Sequence, residues 1–164
     1  MIKLGHKALI IISGLVWFAV GTMLLTIGLD LLVKGSKNER FFEGHSYPVM
    51  DTIAPYMGGL EQAALLIVAL ALIVGYFKGK FVLGKSAIKG IQRIRSFPNP
   101  TSLANIYSAK YYILLAAMVA LGMSIKYMGV PQDVRGGVDV AIGSALINGA
   151  ILYFRSAFSV KQPA

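Results

Sequence analysis

KGKFVLGKSAIKGIQRIRSFPNPTSLANIYSAK, Lys78 to Lys110, holds seven basic residues (Lys78, Lys80, Lys85, Lys89, Arg93, Arg95 and Lys110) and not one acid. Apolar runs long enough to cross a bilayer flank it on both sides, and loops retained in the cytoplasm keep Lys and Arg. The stretch therefore decides class and orientation together: an all-α, polytopic membrane protein with this loop inside. From Phe81 onward, apolar residues recur at Gly84, Ala87, Ile88, Ile91 and Ile94, while Lys85, Lys89 and Arg93 repeat every fourth residue. That spacing predicts a basic amphipathic helix over about 80–96, lying along the inner interface. Pro98 and Pro100 end it, and Asn99, Thr101 or Ser102 can cap the next helix. Anionic lipid headgroups on the cytoplasmic face are the partner expected for Lys78, Lys80, Lys85, Lys89, Arg93 and Arg95. A loop that merely sets topology by its charge accounts for the same residues.

Composition points the same way. Of 164 residues 56% are hydrophobic and only 14% charged, with a mean hydropathy of +0.68, too little charge to cover a soluble domain. At about 20 residues per crossing, the chain reads as a single integral membrane domain, 1–164, with four transmembrane helices at about 8–33, 55–77, 106–128 and 138–158. In the third, Lys110 and Lys126 bracket the apolar stretch and snorkel to the interfaces. The first apolar run is too long for the core of a signal peptide and has no A-x-A-like cleavage site, so it reads as a retained helix. The net charge of +9 sits on loops and no aromatic-basic module accompanies it, so nucleic acid is not an expected partner. The absence of cysteine excludes disulfides, thiolate metal sites and cysteine nucleophiles.

Orientation follows from the distribution of charge. Lys3, Lys7, the middle loop, Arg155 and Lys161 fall on one side with no acid. All seven acids (Asp30, Glu39, Glu43, Asp51, Glu61, Asp133 and Asp139) fall on the other, with Lys34, Lys37, Arg40, Lys126 and Arg135. Both termini are expected in the cytoplasm, and the compact chain with short loops suits a bacterial plasma (inner) membrane. A faint internal repeat aligns Gly21 and Gly28 with Gly122 and Gly129, and Tyr76-Phe77-Lys78 with Tyr153-Phe154-Arg155. It predicts a 2+2 parallel repeat about an axis along the membrane normal.

Small residues mark where helices approach. Gly14, Gly21 and Gly28 recur every seventh residue; Ala71, Gly75 and Gly79 recur every fourth and include a GxxxG. Packing within the bundle is the first reading and a homodimer seam the second. Gly137, Ala141, Ser144, Asn148 and Arg155 share a narrow arc of the last helix. Asn148 stands near mid-membrane, where its amide needs a partner, so Ser144, Asn148 and Arg155 form either a polar pathway or helix glue. Asp30, Glu61 and Asp139, with Gln62, gather at the outer mouth. Glu61 and Asp139 are expected in first helical turns, where the dipole favours an acid. Asp30 comes late in its helix and needs a cation, with Lys34 at i+4 the first candidate and Arg135 or Lys126 the others. Val130 to Gly137 reads as a tight hairpin in which Asp133 and Arg135 pair. Trp17 reads as core. His6 and His45 lie on opposite sides, so they cannot share a metal or haem. No phosphate loop, H-E-x-x-H or G-x-S-x-G is present, and no cofactor or metal is expected.

These observations leave three function classes. The first is a non-enzymatic subunit or scaffold of a membrane complex, associating with itself or with other membrane subunits. The second is a homo-oligomeric transporter or channel for a cation or small polar solute. The third is a membrane-embedded hydrolase using Asp30 and Asp139. Lipoprotein signal peptidases are small four-helix membrane enzymes with paired aspartates on the outer side, but the Asn-rich motifs of that family are absent around both residues. The abundance of packing glycines and the scarcity of convergent reactive groups favour the first class.

Overall fold

The computed structural model describes residues 3–37, 46–102 and 127–159. Those residues are almost wholly helical, and three helices are long and apolar enough to cross a membrane: α1 (His6–Ser36), a continuous run Leu60–Ser96, and the last helix, Gln132–Phe158. A short helix, α2 (Pro48–Met57), precedes the run. The run consists of α3 (Leu60–Lys78), one π-helical turn (Gly79–Leu83) and α4 (Gly84–Ser96). We number the last helix α5. The predicted third span, 106–128, lies outside the described residues but for its last two. So does Gly122 of the proposed repeat.

α1 and α5 form the spine. α1 has 31 residues, about 45 Å at 1.5 Å each, more than the roughly 30 Å hydrocarbon thickness. The two helices run antiparallel: Gly14 faces Tyr153 and Phe154, Gly21 faces Gly143, and Gly28 faces Gly136 and Val140. A methyl group on Gly28 would come within 2.7 Å of both the Gly136 carbonyl and the Val140 nitrogen. Lipid supplies no hydrophobic drive between helices, so such close backbone approach, with its dispersion contacts, holds them together. Both rows have a seven-residue period, the period of a left-handed supercoil. On α5 the row is Gly136, Gly143, Ala150 and Ala157, all buried.

α3 packs on a second face of α5, running parallel to it. Gly75 lies directly against the Ser144 hydroxyl and the Ala141 carbonyl, and Gly79 against Ala145 and the Cβ of Asn148. The buried interior is in two parts. Near one end Leu32, Tyr47, Met50, Ala64, Ala71 and Val140 pack together. Near the other, Leu9, Trp17, Ile91, Ile94 and Tyr153 lead a larger cluster. The rest of α3 faces outward and is apolar, with Leu65, Leu70, Ile73 and Phe77 all more than half exposed. An apolar surface of that extent suits lipid and not water.

Several boundaries differ from the sequence reading. The second span begins at Leu60 and not at Pro55, because Gly58 and Gly59 take φ of 89° and 151° and break the helix there. Pro55 belongs instead to α2, which the sequence reading missed. The amphipathic segment is no separate interfacial helix: it continues α3 through the π-turn. Its apolar residues Ala87, Ile91 and Ile94 are buried against α1 and α5 and not in lipid, although Ile88 stays exposed. α5 starts at Gln132, six residues before the predicted start, so Asp139 stands two turns inside it and no hairpin spans Val130 to Gly137.

Beyond the π-turn the run stays in contact with α5. Gly84 lies beside Leu152, while Arg95 bonds to Ser156. α4 thus packs over the end of the α1–α5 spine, as a collar. An antiparallel bridge between Lys3–Leu4 and Thr101–Ser102 closes the chain around that end.

Candidate functional site

Three places gather the polar residues singled out from sequence. At the α3–α5 seam, the Ser144 hydroxyl donates to the Ala141 carbonyl at 3.0 Å and the Asn148 amide donates to the Ser144 carbonyl at 2.9 Å. Each of these bonds lies within the helix that bears the side chain. Their neighbours across the seam are Gly75 and Gly79, whose lack of a side chain gives them room. Arg155, the last member of the arc, is exposed at the end of α5. Small residues make this a close helix contact.

At the α2 end the acids separate. Asp30 pairs with Lys34 at 2.9 Å, the i,i+4 partner its position required, on an exposed stretch of α1. Asp139 approaches Arg135 at 3.8 Å, also i,i+4, and both are largely shielded. Glu61 stands exposed in the first turn of α3. Asp30 and Asp139 are each engaged within their own helix. Among the described residues no three His, Cys, Asp or Glu side chains stand close enough to share a metal ion.

The residue that organises this end is one the sequence reading assigned otherwise. Asp133 is 1% exposed and does not pair with Arg135. Its Oδ2 accepts the backbone N–H groups of Val49 at 2.7 Å and Met50 at 3.0 Å, and its Oδ1 accepts the N–H of Val134 at 2.8 Å. The first N–H groups of a helix have no partner inside it. In α2 the N-cap position is Tyr47, whose side chain makes no capping bond, and Pro48 follows it. Asp133 supplies the missing acceptor from the start of α5, a carboxylate at a helix N-terminus where the dipole favours it. The Gln132 N–H donates to the Ser46 carbonyl at 3.0 Å, and the ring of Tyr47 covers Gly35 of α1. α2 is thereby locked over the ends of α1 and α5.

At the α4 end the basic residues divide. Arg95 donates to the Ser156 carbonyl and hydroxyl at 3.2 and 3.1 Å, and His6 donates from Nε2 to the Phe97 carbonyl at 2.9 Å. Lys7 lies over the ring of Phe158 and Arg93 over that of Phe97, at 5.3 and 5.5 Å. The Arg95 and His6 bonds tie the collar to both spine helices. Lys78, Lys80, Lys85, Lys89 and Arg93 remain exposed. Beneath the collar Trp17 is buried edge-on to Tyr153, ring centroids 5.5 Å apart, and covers Gly149.

Sequence reasoning missed the α5 row Gly136-Gly143-Ala150-Ala157, although the seven-residue test applied to α1 finds it. It also missed the capping role of Asp133, for which no local signal exists. Comparison with protein families, with curated proteins and with solved structures yields no match.

Proposed function

We propose that this chain is a non-enzymatic structural component of a membrane complex, a small scaffold whose work is done by its surfaces and not by a reaction centre. The observation that carries the reading is the way polar side chains in the bundle are used. Ser13, Ser144 and Asn148 each donate to a carbonyl of their own helix, and Asp30 and Asp139 each face a cation one turn away. Reactive sites need groups from different elements to converge on one point; here the groups are spread out and engaged locally. The glycine rows are occupied inside the chain, which leaves the apolar outward face of α3 as the surface for lipid or a neighbouring subunit.

The proposal includes four crossings with both termini and α4 in the cytoplasm of a bacterial cell. Its support is charge and connectivity. The α4 end has no acid in α1 before Asp30, none between Glu61 and Asp133, and none after Asp139, which suits the side that retains Lys and Arg. Ser102 is bridged to Lys3 at the α4 end, and Gln132 is bonded to Ser46 at the α2 end. Ser102 and Gln132 thus lie at opposite ends of the bundle, which supports a fourth crossing between them.

Native mass spectrometry of the protein released gently from its own membrane tests the proposal. A second polypeptide at fixed stoichiometry is expected, and retained when Asn148→Leu is introduced. That change removes one intrahelical bond and should alter stability by about 1 kcal/mol or less. A homo-oligomer that retains a small solute, and loses it in Asn148→Leu, would replace the scaffold reading with a transport one.

A further inference from the structure

Along the outer side of the run Leu60–Ser96, every fourth residue from 73 to 93 forms one exposed ridge: Ile73, Phe77, Phe81, Lys85, Lys89 and Arg93. In a regular α-helix such a row drifts around the axis, since four residues exceed one turn. The π-turn at Gly79–Leu83, with its wider turn, winds the row back toward one side. The residues of the ridge are apolar over its first half and cationic over its second, and the change falls between Phe81 and Lys85, at the π-turn itself, where the Lys80 ammonium also lies over the Phe81 ring at 5.8 Å. The rings of Phe77 and Phe81 lie parallel, their centroids 6.3 Å apart, and Val82 and Ile88 add exposed apolar surface beside them.

Among the described residues no carboxylate pairs with the cationic half. No acid occurs from residue 62 to 132, before Asp30 or after Asp139. The carboxylates that do occur in the described residues belong to the opposite end or to the α2–α5 junction. Nor do the lysines serve to insert α4 into lipid, because its apolar face is already buried against α1 and α5. Their place relative to Phe77 and Phe81 is fixed by an unbroken helix. From this we infer that the ridge is a docking site for an anionic diacyl phospholipid. One acyl chain lies along Ile73, Phe77 and Phe81, and the phosphate is held by Lys85 and Lys89. Free phosphate or nucleic acid matches only the cationic half, whereas a lipid matches both halves in the order found. The inference rests on the membrane-spanning reading and adds to it a defined lipid partner at a defined place.

The test uses the full chain in mild detergent, with phosphatidylglycerol or phosphatidylcholine added at equal concentration, and native mass spectrometry to count bound lipid. Phosphatidylglycerol is expected to be retained in preference, and 10 mM inorganic phosphate should not displace it. The double variant Lys85→Gln/Lys89→Gln should lower its retention by about ten-fold or more, since each cation near an anionic headgroup contributes several-fold. Lys37→Gln, at the other end of the bundle, should leave retention unchanged. Both substituted lysines are exposed, so folding is not at stake. Equal retention of the two lipids, displacement by phosphate, or an unaffected double variant would overturn the assignment. Membrane fractionation of the same variants separates the two claims: protein recovered with membranes keeps the spanning reading intact, whereas soluble wild-type protein would end that reading as well.

Discussion

Gly143→Ala is expected to destabilise the folded bundle by about 3 kcal/mol, near the upper end of the range for overpacking. The added methyl would meet the Leu25 nitrogen at 2.6 Å, the Gly21 carbonyl at 2.7 Å and the Leu25 Cα at 3.0 Å. All three are backbone atoms of α1, so no rotamer change makes room. The spine helices must move apart, and separation at one point of a seven-residue row loosens the dispersion contacts of its neighbours at Gly136 and Ala150. Gly84→Ala is the matched control. There the nearest atoms lie at 3.4 and 3.5 Å, and the gain in helix propensity, up to about 1 kcal/mol, should leave that variant as stable as the wild type or slightly more so. Titration with a denaturing detergent in mixed micelles measures both. Equal unfolding midpoints for the two variants would mean that the α1–α5 seam does not hold the bundle.

Asp133→Ala should cost about 3 kcal/mol, and should do so locally. It deprives the N–H groups of Val49 and Met50 of their acceptor, and a buried amide left without one costs about 1–3 kcal/mol. Water can reach Val49 more readily than Met50, so the total stays below the sum of two full penalties. Asp133→Asn keeps one carbonyl oxygen for those donors and should cost about 1 kcal/mol. Hydrogen exchange reads the difference. The amides of residues 49–51 should lose protection in Asp133→Ala while those in the middle of α1 and α5 keep theirs. Uniform loss across the bundle would show that Asp133 supports the whole fold and not the α2 junction alone.

What was legible in the sequence divides along the range of the forces involved. Helix identity was legible at α1, where one apolar run carries its own glycine period. The Asp30–Lys34 pair was legible because its partner is one turn away. The start of α3 was not, because Pro55 resembles a helix-initiating proline, while the break is made by Gly58 and Gly59. The spacing of Lys85, Lys89 and Arg93 gave α4 its helical character. That spacing held no sign that Ala87, Ile91 and Ile94 would cover protein, since an apolar stripe reads alike whether it meets lipid or another helix. Asp133 was the least legible. Its donors lie 84 and 83 positions away, and only the assembled ends of α1, α2 and α5 bring them together. The candidate site inherits the same limit: helical periodicity puts Ser144 and Asn148 on one face, but that the face meets Gly75 and Gly79 depends on how α3 packs.

The chain has no cysteine, so single substitutions at exposed positions give an unambiguous report of its placement. Thr52→Cys in α2 and Gln92→Cys in α4 mark the two ends of the bundle. With a membrane-impermeant maleimide on intact cells, Thr52→Cys is predicted to label at once and Gln92→Cys only after the membrane is permeabilised. Labelling of both from the outside, or of Gln92→Cys alone, would contradict a spanning bundle whose basic collar lies in the cytoplasm.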